Sequence, residues 1–466
     1  MSAPEQDAAA RAARGKVARA EVPRSSHGAF EEASTRPDPI DLLTGQDKSR
    51  VPELVPIRYG RMLTSPFAFY RGAALVMAAD LAATPRSGIT TQVCGDAHLL
   101  NFGMFGTPER RLVFDLNDFD ETLPGPWEWD VKRLAASLVV AGRENGFTGR
   151  DTRAVVRSAV RAYREAMRRF ADQTNLAVWY ARIDVDEVMA AFRSQRAVRR
   201  HQRLARNVAK TRARDSHQAL GKLTEKVAGR RRIVSDPPLI VPLEDLLPDM
   251  ERDQMYRQLA GLVHRYRSSL QDDRKTLLSR FRLAQVARKV VGVGSVGTRA
   301  FIVLMFGRDH DDPLFLQAKE AKASVLEEFV GAGEYRNEGQ RVVVGQRRMQ
   351  AASDIFLGWD RVERLAGGGS SDFYLRQLRD WKGSAVVETM TPAELAFYGR
   401  ACGSTLARGH ARSGDRIAIS SYLGGKDTFD RAVAEFAEAY ADQNERDYRA
   451  LADAVRSGRL TARTGL

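Results

Sequence analysis

Gly95-Asp96-Ala97-His98-Leu99-Leu100-Asn101, the run GDAHLLN, sets an aspartate and an asparagine five residues apart in a polar turn. Upstream, Thr90 to Cys94 reads as a short strand. Downstream, the turn GTPERR leads into LVFDLNDFDE, where aspartates and Asn117 alternate with Phe114, Leu116 and Phe119. Two strands flanking a polar loop are expected, the second with one half-buried face. Phosphoryl transfer asks for such a pair. The aspartate accepts or orients the proton of an attacking hydroxyl, while the asparagine oxygen reaches a magnesium ion on the nucleotide phosphates. Asp96 is the candidate base and Asn101 a candidate metal ligand. The plainer alternative is an Asp/Asn-rich turn that only caps its own backbone.

The pattern GDxHxxN resembles the catalytic loop of aminoglycoside-phosphotransferase and choline-kinase-like enzymes, and His98 falls on that motif too, so it joins Asp96 and Asn101 as a catalytic candidate. In such enzymes the metal-binding aspartate lies on the next strand, in a DFG- or DFD-like sequence. Asn117-Asp118-Phe119-Asp120 supplies it. Asp118 aligns best with the metal ligand, and Asp115 and Asp120 are nearby carboxylates that bind a second ion or orient the first. Three carboxylates so close are costly without a cation. The competing reading is a surface hairpin with exposed acids.

Gly292-Val293-Gly294-Ser295-Val296-Gly297 has the form G-x-G-x-x-G, which alone is a weak signal. A dinucleotide-binding loop would run into a helix, whereas TRAFIVLMF continues as a β-rich run. That favours the strand-loop-strand hairpin that covers nucleotide phosphates in kinases, with Gly292, Gly294, Ser295 and Gly297 as contacts. Lys319, in LQAKEA, takes the place of the lysine that pairs with α- and β-phosphates. Glu338 is its expected helix partner and Glu327 the competitor. A simple glycine hairpin with Lys319 as an edge-strand gatekeeper is the plainer alternative.

In an ordinary kinase these parts occur in the opposite order, and circular permutation reverses them without changing the site in space. SPFAFYRGAA, GDAHLLNFG, FDLNDFDETLPGPWEWDVKRLAAS, VGVGSVGTR, GQRRMQAASDIFLGW and LARGHARSGD resemble the bacterial family catalogued as domain of unknown function 2252, from about Pro56 to Tyr448. That resemblance implies a protein-kinase-like fold and brings no substrate. The expected class is α+β, a two-lobe kinase-like fold in circularly permuted order, with a small antiparallel sheet lobe and a large, mainly helical one. Expected divisions are a loosely attached lead-in over 1–50, a catalytic-loop and helical lobe over 51–280, a β-rich nucleotide-binding lobe over 281–385, and C-terminal helices over 386–466 packing on the helical lobe. One long helix is expected from Ser65 to Ala83.

The 466 residues, 43% hydrophobic, suffice for a substantial core. No signal-peptide core and no apolar run of about 20 residues occurs, so a cytoplasmic protein without membrane contact is expected. Two cysteines, Cys94 and Cys402, exclude a disulfide framework and a Cys-rich zinc site. Of the net charge of +14, much sits between Arg193 and Arg232, where 14 Lys/Arg stand against Asp215 and Glu225. A helix with Arg196, Arg199, Arg200, Arg203, Arg206 and Lys210 would offer phosphates a cationic face. Few aromatics are interleaved for base stacking, so a solvated arm competes with nucleic-acid binding. Weaker candidates are Arg71, Arg133 as a brace for the catalytic loop, Gln346-Arg347, and His410 with Arg412 and Asp415. Trp127 and Trp129 read as core.

The leading expectation is ATP- and magnesium-dependent transfer to an unidentified hydroxyl or amine of a small-molecule or protein acceptor. Nucleotidyl (AMP) transfer on the same fold and a non-catalytic nucleotide- or nucleic-acid-binding role are the alternatives. A two-metal hydrolase using Asp96, His98, Asp115 and Asp118 would leave the glycine loop and Lys319 without a task.

Overall fold

The computed structural model describes residues 7–32, 34–194, 198–227, 229–363, 369–378 and 380–466, with the side chains of 191–204 and 230 outside the description. The chain is α+β. Its main core gathers around the helix Trp127–Glu144, which is buried over nearly its whole length. Helices Gly149–Ala171, Pro392–Ser413 and Thr428–Arg456 pack on it. Local chemistry sets their starts: Thr148 caps the first of these, and Thr391 with Glu394 forms a reciprocal capping box at Pro392. Among the described residues no helix is long and apolar enough to cross a membrane. Cys94 and Cys402 are free and buried.

Beside this core lies a six-stranded antiparallel sheet in the order Gly358–Glu363, Ser370–Gln377, Pro313–Ala321, Ala300–Phe306, Arg282–Lys289, Ile240–Pro242. Alternation splits its side chains between two faces. Val303, Leu316, Phe373 and Leu375 meet the helix Arg252–Arg267, while Ile302, Leu304 and Phe315 meet the helix Ser216–Leu223. The expected division at 281 therefore falls too late. A strand and two helices from the stretch read as helical lobe belong to the sheet, because periodicity reveals a helix but not the surface it covers.

Two further expectations need correction. The run from Ser65 forms two helices, Pro66–Gly72 and Ala74–Ala82, broken at Ala73. The described part of the segment 1–50 is not a loose lead-in. Its helices Ala8–Glu21 and Pro39–Asp47 are tied to the body: Arg11 and Arg14 pair with Asp415, and Arg36 bridges buried Asp80 and Asp447 at 2.7 and 2.6 Å. Periodicity does not reveal these ties because the carboxylate partners lie 44 to 411 residues away.

Candidate functional site

The strand Thr90–Val93 pairs with Leu123–Pro126 and delivers the chain into the GDAHLLN turn. Gly95 adopts φ +83°, and a Cβ there would overlap the Glu121 carbonyl oxygen, so glycine is required on two counts. The amides of Cys94 and Gly95 donate to Asp130 at 2.6 and 2.9 Å. His410 Nε2 lies 3.1 Å from the same carboxylate, and its Nδ1 is 2.9 Å from the Tyr163 hydroxyl. Because a carboxylate only accepts, Nε2 carries the proton and Nδ1 receives the tyrosine. His410 thus supports the loop from behind. Asp415 caps the helix Arg416–Leu423 and binds Arg11, and Arg412 stacks on Trp179. Gln346 donates to Gln350 and Arg347 to the Leu357 carbonyl, contacts within the fold.

Asp96 keeps a side chain 19% exposed to the cleft and accepts from Arg133 Nε at 2.8 Å. The same guanidinium donates to the Tyr70 carbonyl at 2.7 Å and lies 3.8 Å over the Tyr70 ring. Burial raises the Asp96 pKa above the usual carboxylate range, against the pull of Arg133. Asn101 Nδ2 donates to the Asp96 carbonyl at 2.5 Å, which leaves its Oδ1 for the cavity that Asn101 lines. Burial, with Arg71 and Arg133 nearby, holds His98 well below its ordinary pKa. Its Nδ1 accepts the Leu100 amide at 3.1 Å, and its Nε2 is 3.8 Å from Asp96, beyond a hydrogen bond.

Lys319 is buried on the strand Pro313–Ala321, directly across the register from Tyr374. Its ammonium is 2.5 Å from Asp120 Oδ2 and 3.5 Å from Asp118 Oδ1. Asp120 also accepts the Tyr374 hydroxyl at 2.5 Å. Burial favours the neutral form of Asp120, yet Lys319 and Tyr374 outweigh it and hold the carboxyl below its usual range. Asp118 moves the other way, raised by burial and by the charge of Asp120. Its Oδ1 is buried without a hydrogen-bond partner. Burial disfavours the Lys319 charge, but the two carboxylates prevail and raise its pKa.

The glycine loop joins the strands Arg282–Lys289 and Ala300–Phe306 above them, with Gly292 at φ +67° and Gly297 at φ +88°. Arg50 Nη1 holds the carbonyls of Gly294 and Val296 at 2.9 and 2.5 Å, and Arg61 holds that of Gly292 at 2.6 Å. Ser295 Oγ reaches Asp120 at 3.4 Å. A cavity of about 710 Å³ separates loop and turn. Asp96, His98, Asn101, Asp118 and Asp120 line one part of it, and Gly292, Gly294 and Ser295 another.

Four expected members do not line it, one of them Lys319, which is buried against Asp118 and Asp120. Gly297 sits behind the loop against the Arg50 stem. Asp115 is 1% exposed, paired with Arg408 and accepting the Ala351 amide at 2.9 Å, so its side chain is consumed in the core. Glu338 pairs with Arg341 at 2.6 Å, and Glu327 is 3.9 Å from the same arginine; the partners of Lys319 are Asp118 and Asp120. Arg341 in turn donates to the carbonyls of Thr122, Asp120 and Lys322, clasping both walls. Among the described residues no three His, Cys, Asp or Glu side chains gather into a metal cage, which corrects the expected three-carboxylate centre. The basic helix is present as Val198–Arg212, but Arg196 and the side chains of Arg199, Arg200 and Arg203 lie outside the described residues.

A family model described as "Uncharacterized protein conserved in bacteria (DUF2252)" matches residues 50–454. The chain belongs to that family. No curated protein and no solved structure matches it. Within this DUF2252 member, sequence reasoning missed Arg50, Asp130, Arg341 and Tyr374. Tyr374 was within reach, since pairing the FYLRQL strand with LQAKEA puts it opposite Lys319; the other three hold the site chiefly through distant backbone groups, which leave no motif.

Proposed function

We propose that this chain is an ATP- and magnesium-dependent phosphotransferase, with a protein-kinase-like two-lobe fold in circularly permuted order, acting on a hydroxyl or amine acceptor. One observation carries the reading: buried Lys319 binds Asp120 at 2.5 Å and lies 3.5 Å from Asp118, and these two carboxylates line a cavity together with Asp96, Asn101 and the glycine loop. A metal-dependent hydrolase would have no use for that loop or lysine.

In this reading the glycine loop and Lys319 hold the triphosphate, and Asp96 orients the acceptor. The acceptor oxygen forms a bond to the γ-phosphorus as the bond to the ADP oxygen breaks, and the acceptor proton passes to Asp96. Its raised pKa, from burial, suits it to receive that proton, while Arg133 fixes its direction. Asp118 and Asn101 would hold magnesium together with phosphate oxygens, and the ion would neutralise phosphate charge. The Oδ1 of Asp118, which has Lys319 in ion-pair range but no hydrogen bond, and the committed Nδ2 of Asn101 fit that task.

Calorimetric titration with ATP and magnesium tests the reading. Wild type binds, and Asp118→Ala and Lys319→Ala each lose about tenfold or more. Unchanged affinity in both variants overturns it. Mass gained by an acceptor, one phosphate or one AMP, separates phosphoryl from nucleotidyl transfer.

A further inference from the structure

Arg71 closes the helix Pro66–Gly72 and lines the cleft. Its Nε is buried without a hydrogen-bond partner. The neighbouring Tyr70 carbonyl is gripped by Arg133, the arginine that holds Asp96, so chain connectivity fixes Arg71 beside the candidate base. On its other side, the Arg71 carbonyl lies 3.1 Å from where a Cβ on Gly294 would stand. Arg71 therefore sits between the turn and the glycine loop, where two substrates would meet.

The other cations at the cleft have partners for their charged ends. Lys319 serves Asp118 and Asp120, Arg133 serves Asp96, Lys322 donates to the Ser49 carbonyl, and Arg50, whose Nε is likewise without a partner, spends Nη1 on loop carbonyls. The carboxylates whose charge reaches Arg71 most strongly are Asp96, taken by Arg133, and Glu388. A sequestered guanidinium with an unfilled donor is costly, and its fork of N–H groups matches a planar or tetrahedral oxyanion. Its link to Asp96 rather than to the Lys319 side associates that anion with the acceptor.

We propose that Arg71 binds a compact oxyanion, a phosphate or carboxylate group, on the acceptor substrate, so that the acceptor is an anionic hydroxy or amino compound. The assignment rests on the phosphotransferase reading.

The test uses the full chain saturated with magnesium and a non-hydrolysable ATP analogue, so that the triphosphate position is filled. Inorganic phosphate and, separately, acetate are titrated calorimetrically into wild type, Arg71→Gln, Arg71→Lys and Lys319→Ala. One or both anions bind wild type, and the tighter arm identifies the group. Arg71→Gln loses about tenfold or more in anion affinity and keeps its affinity for the nucleotide analogue. Arg71→Lys, which keeps the charge and the fold but not the fork, falls between. Anion affinity indifferent to Arg71, no anion binding to wild type, or loss of the nucleotide in Arg71→Gln to the degree seen in Lys319→Ala each overturns the assignment while leaving the kinase reading standing. Failure of the analogue to bind wild type overturns both.

Discussion

Lys319 is 3% exposed, and its ammonium has two carboxylates for company. Removing one member of a buried ionic group strands the others, so Lys319→Ala should lower stability by about 3 kcal/mol, read from urea unfolding. Gly95→Ala meets both a left-handed backbone and the Glu121 carbonyl, and should cost at least about 2 kcal/mol in the same assay. His27 supplies a pH signature away from the cleft. It is fully buried with Tyr422 at 2.6 Å, and burial, with Lys132 nearby, drops its pKa from 6.5 to about 3. The folded chain thus refuses a proton that the unfolded chain accepts below pH 6.5, so stability falls as pH falls through that window. Between pH 6 and 4 the wild type should lose about 1.4 kcal/mol per pH unit more than His27→Phe. At this scale the sequence is most informative where spacing is short and regular: Asp96, Asn101 and Asp118 line one cleft, with Lys319 buried against Asp118 and Asp120. It misleads where facing matters, because Asp115, on the strand Leu112–Leu116 that runs into Asp118 and Asp120, turns toward Arg408, and Glu338 finds an arginine one helical turn along its own helix.

Elements tell a different story. The strand pair around the glycine loop is legible from alternation and turn residues, since it is a local pattern, whereas the strands beside the GDAHLLN turn pair with Leu123–Pro126 and Phe102–Gly106, which are not expected as strands. The N-terminal helices are not, because what holds them is a set of ion pairs to distant helices. Arg36 is 8% exposed with two buried partners, so Arg36→Ala should destabilise by about 3 kcal/mol in thermal or urea unfolding. Arg50 gives the same segment a place at the glycine loop, through the carbonyls of Gly294 and Val296. Arg50→Ala should therefore loosen the loop and weaken nucleotide affinity about tenfold with little change in the helical core, a difference that calorimetry and circular dichroism together would register.

For the whole molecule, the cleft exists because two distant stretches of chain close on each other. A ligand that touches both walls binds only the folded form. Magnesium-ATP at 100 times its Kd should stabilise the wild type by about 2.7 kcal/mol, seen as a rise in Tm that Lys319→Ala fails to show. The overall class, α+β with antiparallel sheets, follows from composition and periodicity. The boundary between its parts does not, since helices Ser216–Leu223 and Arg252–Arg267 are chosen by the sheet faces they cover.

Cys94 and Cys402 are each 1% exposed or less. Maleimide dyes would accordingly ignore both thiols in the native protein, and a pair of cysteines introduced on exposed turns, one beside the glycine hairpin and one on the helical side, would carry fluorophores without first removing the natural ones. Energy transfer between such labels would show whether the distance between the two sides changes when magnesium-ATP is added.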